Sequence, residues 1–155
     1  MFNRLSIVLV LAGLATAVTS AQTADPMAGT WTLNAAKSKT YTSGTSVIEA
    51  VDGGLKATVD LVSRDGTKYH WTWTAKYDGN EAPVDGATPY GQSKQTISLT
   101  HTDPRHAKVV ARVDGKVMAT HTVTVSPDGK TRTIHSTGKN AKGEAVDTTN
   151  VYEKH

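Results

Sequence analysis

Trp71 and Trp73 are two residues apart, so they share one side of any strand that carries them. Facing inward, two indoles would wall a pocket for an apolar or aromatic molecule, each with an N–H to donate. As plain core filling they would bury the same area, and the chain has one phenylalanine to share that task. His121 sits on an otherwise apolar alternation of Val117, Ala119, Val123 and Val125. An imidazole there could exchange a proton or orient a polar ligand group; the structural alternative is an interior histidine held by a neighbouring threonine. His101 and His106 flank the turn Thr102-Asp103-Pro104-Arg105, which would stand the two rings opposite each other beside Asp103. Two imidazoles fall short of the three or four ligands of a zinc site, so no metal is expected. His70 and His135 lie among lysine and threonines and read as outward.

Enzyme signatures are missing from the sequence. It contains no Gly-x-Ser-x-Gly elbow, no phosphate loop, no His-Glu-x-x-His and no cysteine nucleophile. No catalytic residue is assigned and no cofactor is expected. Acids such as Glu49 and Asp60 sit on polar faces.

The elements that would position these residues begin after a targeting segment. Arg4 is the one charged residue ahead of the apolar run Leu5 to Leu14, and small residues follow to Thr19 and Ala21. That order is a secretory signal peptide over residues 1–21, cut after Ala21, with a periplasmic or secreted product. A membrane helix would need about 20 apolar residues, and this run turns polar at Thr16. No later stretch could span a membrane as a helix, so no stable membrane insertion is expected. The 17 Lys/Arg are spread among 14 Asp/Glu with no basic stripe, and nucleic acid is not an expected partner. With no cysteine, stability must come from an ordinary core. Residues 22–28 read as a tether and 29–155 as one domain.

That domain is punctuated by six Asp-Gly pairs, at 52–53, 65–66, 78–79, 85–86, 114–115 and 128–129. Hairpin turns need positive φ, which glycine adopts freely and aspartate tolerates. Between them lie runs of Val, Thr, Ile, Tyr and Trp that suit a sheet. Strands are expected near 29–34, 46–51, 55–62, 67–75, 94–101, 107–113, 116–125, 130–137 and 145–154. Segment 76–93 is an irregular connection with room for a short extra strand. Leu55, Ala57, Val59 and Leu61 form one candidate inner face. Tyr69, Trp71, Trp73 and Ala75 form a second, and Val117 to Val125 a third. The fold class is all-β: an antiparallel up-and-down meander closing into a barrel of about nine or ten strands. A β-sandwich is the alternative.

Gly29-Thr30-Trp31-Thr32-Leu33 resembles the Gly-Thr-Trp-x-Leu opening of calycins, the superfamily of lipocalins and fatty-acid-binding proteins, in which the tryptophan seals one barrel end. Val151-Tyr152-Glu153-Lys154 is similar to the closing Tyr-Glu-Lys of fatty-acid-binding proteins. In that family the strand carries Arg-x-Tyr, which holds the ligand carboxylate. Here Tyr152 matches the tyrosine, and Asn150 stands at the arginine position. The chain is also similar to secreted bacterial proteins that begin Gly-Thr-Trp-x-Leu-Asn and continue with Lys-Ser-Lys, as Lys37-Ser38-Lys39 does here. The resemblance implies a lipocalin-like binding protein, with Tyr152 and Asn150 facing the cavity beside Trp71, Trp73 and His121. Asparagine brings no positive charge, so the expected partner is a small hydrophobic or aromatic molecule that is neutral and only partly polar.

Two other readings stand beside this one. A structural or envelope protein would have a filled barrel and no ligand. A small hydrolase or isomerase would need titratable groups converging from separate strands. Whether the interior is hollow separates the first pair.

Overall fold

Alternation of apolar residues with Thr and Lys, cut by Asp-Gly, folds residues 24–155 into ten antiparallel strands; these are the residues that the computed structural model describes. The expected signal peptide, residues 1–21, lies outside the described residues. The strands are β1 (Gly29–Leu33), β2 (Tyr41–Val51), β3 (Gly54–Ser63), β4 (Lys68–Lys76) and β5 (Glu81–Ala87), then β6 (Gln95–Asp103), β7 (His106–Val113), β8 (Lys116–Val125), β9 (Thr131–Lys139) and β10 (Ala145–Lys154). Each pairs with the next, and β10 returns to β1 with Leu33 opposite Tyr152. The meander therefore closes into a barrel, and the sandwich alternative falls. Closure pairs every strand on both sides and leaves no open edge.

Five of the six Asp-Gly pairs close hairpins. Asp114 (φ 49°) and Gly115 (φ 76°) are both left-handed, as the tightest hairpin turn requires. Asp85-Gly86 is different: Gly86 lies inside β5, opposite Trp71. A Cβ at Gly86 would run into the His70 carbonyl oxygen, so glycine there permits close strand approach rather than a turn. β5 is the short extra strand of segment 76–93. β2 starts at Tyr41, earlier than expected, because a shift in register between Tyr41 and Ser43 interrupts its alternation. Ahead of it, only Ala35–Lys37 forms a 3₁₀ turn, with Asn34 Oδ1 accepting from the Lys37 amide at 3.1 Å.

Leu55, Ala57, Val59 and Leu61 are all buried, on the inner face expected for them. Val117 is not: it is 58% exposed. Ala111 pairs with Ala119 but Arg112 pairs with Val117, so an extra residue bulges out of β8 and reverses the alternation. One end of the barrel is closed by residues 24–28, the described part of the stretch 22–28 that reads as a tether. Met27 is buried there, and its carbonyl accepts the Trp31 indole N–H at 2.9 Å. Asp25 accepts from the Tyr77 hydroxyl at 3.0 Å. The turns after β3, β5, β7 and β9 surround the opposite end.

Ten strands make a wider barrel than the eight that side chains can just fill. The inward positions of Ala57, Ala107 and Ala111 are small, and Ser46 and Ser136 add little bulk. The interior is consequently hollow.

Candidate ligand cavity

The barrel encloses a cavity of about 460 Å³, inside the ~300–1,000 Å³ range of small-molecule pockets. Its walls are mainly apolar: Ile97 and Leu99 from β6, Val109 from β7 and Ile134 from β9 face Trp71 and Trp73 on β4. Period-two alternation puts both indoles on the inner side, where they are partly buried and packed on the core. Tyr152 and Asn150, two apart on β10, also face inward and are 3% and 4% exposed. The five residues singled out from the sequence therefore line one cavity, His121 included.

His121 Nδ1 lies 2.8 Å from the Ser136 hydroxyl of β9, and its Nε2 lies 3.3 Å from the Tyr90 oxygen. With the Ser136 hydroxyl donating to Nδ1, Nε2–H donates to Tyr90. The partner on β9 is thus serine rather than threonine. Burial lowers the His121 pKa to about 4, leaving the ring neutral near pH 7. Its remaining accessible surface faces the cavity. Tyr41 and Tyr90 are pushed up by burial first, then by neighbouring tyrosines. Burial also raises Tyr152, with Arg132 pulling the other way. These phenols stay protonated and offer the cavity hydroxyl donors and acceptors that carry no charge.

Arg132 was missed in the sequence. It sits on β9 directly opposite Tyr152, 4% exposed, and lines the cavity at its closed end. The guanidinium carbon lies 4.8 Å from the Tyr152 ring centre and 5.1 Å from that of Trp31. Lys154 Nζ is 4.9 Å from the same Trp31 ring. Burial draws the Arg132 pKa down to about 10, which leaves it cationic at neutral pH. The segment Thr131-Arg132-Thr133-Ile134-His135-Ser136 reads as a polar strand, which hid its inner face. Ile134, alternating with Arg132 and Ser136, was the available signal.

The remaining histidines stay outside the cavity. His70 meets Asp60 at 2.7 Å and His135 meets Asp147 at 2.9 Å, both pairs exposed. His101 pairs with Ala107 and stacks on Tyr77 at 4.2 Å, so it does not oppose His106, which is 2.8 Å from Asp103. Among the described residues no three His, Cys, Asp or Glu side chains gather as a metal site would need. No known protein family, curated protein or solved structure matches this chain.

Proposed function

We propose that this is an exported, calycin-like binding protein that holds a small, partly apolar molecule inside its barrel. The observation that carries the reading is the hollow interior, about 460 Å³ walled by aliphatic side chains and two indoles. A purely structural barrel gains stability by filling such a space, since each missing contact costs dispersion and transfer energy. The short apolar run behind Arg4 and the small residues ending at Ala21 support export. His121 supports binding over hydrolysis: a ring held neutral down to about pH 4 is a poor proton acceptor for Ser136.

Trp71 and Trp73 report on the cavity directly. Titrating the protein with dodecanoic acid, dodecanol and naphthol should change tryptophan emission saturably for at least one of them. A micromolar Kd or weaker is expected, about −8 kcal/mol or less in magnitude, because among the described residues no helix covers the mouth. If none of the three classes produces a saturable change, the binding reading is wrong and the structural one takes its place.

A further inference from the structure

We propose that the closed end of the barrel is an anion site, in which Arg132 takes the carboxylate of a ligand whose apolar remainder runs toward the mouth past Trp71 and Trp73. This rests on the cavity holding a ligand at all, and adds what that ligand must carry.

The first support is an imbalance of charge. Arg132 is buried, yet among the described residues no Asp or Glu pairs with it. The other arginine on the cavity wall, Arg112, is satisfied: it donates to Ser98 at 3.1 Å and meets Glu81 at 3.5 Å. Among the described residues the one acid lining the cavity is Asp65, in the β3–β4 turn at the opposite, open end. Taking a lone cation out of water costs several kcal/mol. The faces of Trp31 and Tyr152 recover a part of that through their ring quadrupoles. They leave the in-plane N–H donors untouched, and Arg132 Nε has no hydrogen-bond partner.

The second support is the company Arg132 keeps. Tyr152 stands opposite it on β10, and Asn150, two residues earlier on the same face, has a buried Oδ1 with no partner. That oxygen lies two residues nearer the mouth, where Asn150 is opposite Ile134, and as an acceptor it calls for a donor rather than for the carboxylate itself. A carboxylate would accept from the guanidinium fork, a stronger contact than any neutral acceptor makes. The tyrosine hydroxyl and the asparagine amide are donors within the same wall. The expectation of a neutral ligand weighed β10 alone, where asparagine brings no charge. The cation comes from β9, a position the Arg-x-Tyr pattern does not use.

The test is a comparison of dodecanoate with dodecanol on the secreted protein and on Arg132→Gln and Arg132→Lys, by tryptophan fluorescence at neutral pH. The wild type should bind the acid about tenfold or more tightly than the alcohol, a difference of about 1.4 kcal/mol. Arg132→Gln should erase that preference while still binding the alcohol, and Arg132→Lys should keep a reduced one, since ammonium retains charge but not the fork. A purely structural arginine would weaken both ligands alike. Equal or tighter binding of the alcohol by the wild type overturns the proposal even if a variant does not fold, and so does an acid preference that survives Arg132→Gln. Binding of the alcohol without acid preference would leave the cavity reading standing; binding of neither ligand would overturn both.

Discussion

His121 links a single side chain to the behaviour of the whole protein with pH. In the unfolded chain its pKa returns to about 6.5, whereas burial holds it near 4 in the barrel. Between those values the unfolded state takes up a proton that the folded state refuses, so stability is full above pH 6.5 and falls as pH drops toward 4. The loss is on the order of 3 kcal/mol. Urea midpoints of the wild type and His121→Asn, compared at neutral pH and at about pH 4.5, isolate it, because every carboxylate is common to both proteins. The variant should lose less stability on acidification. Equal losses would mean that His121 reaches water and is not confined by Ser136 and Tyr90.

At the scale of the elements, strand approach depends on glycines that no turn requires. Gly138 lies inside β9 with φ 149°, opposite Ala119, and a Cβ there would strike the Met118 carbonyl oxygen and the Ala119 backbone. Gly129 is also left-handed, but nothing surrounds the place where its Cβ would go. Gly138→Ala should therefore destabilise more than Gly129→Ala: roughly 2–3 kcal/mol against about 1 kcal/mol. Thermal or urea unfolding of the two variants gives the comparison. A reversed order would show that β8 and β9 can separate at this corner without cost. The bulge at the head of β8 acts on the same wall, since it turns Val117 outward and keeps Ala119 in.

For the whole molecule, the question is why the interior stays open. A wall that places Ala107 and Ala111 on β7 across from the two tryptophans on β4 leaves space that larger residues would occupy. Ala111→Leu adds bulk to that space. With real void to fill, the variant should keep its stability to within about 1.5 kcal/mol. Its affinity for the best ligand should fall about tenfold or more, a change of about 1.4 kcal/mol. Unfolding midpoints and tryptophan fluorescence measure the two arms. A strongly destabilised variant would show that the core is already filled at this point.

Much of this was legible in residue order, because a pleated strand alternates its sides by geometry and Asp-Gly turns announce themselves by composition. The β class, most strand positions and the inner faces of β3 and β4 follow from those two local rules. Alternation also singled out Trp71, Trp73 and His121, while Asn150 and Tyr152 came from the resemblance to fatty-acid-binding proteins; all five line the cavity. Local rules fail where the pattern is broken by an extra residue or carried by a glycine. The start of β2, the outward turn of Val117 and the role of Gly86 inside a strand became visible only with cross-strand register. Arg132 shows the deeper reason. Its sequence neighbours are polar, and nothing along β9 says which side of the strand is dry. That is decided when ten strands close, setting Arg132 across from Tyr152 and over Trp31, residues far from it in the chain. Tertiary structure alone determined that the barrel is hollow and that a cation sits at its closed end, because enclosed volume and charge balance belong to the closed sheet rather than to any strand in it.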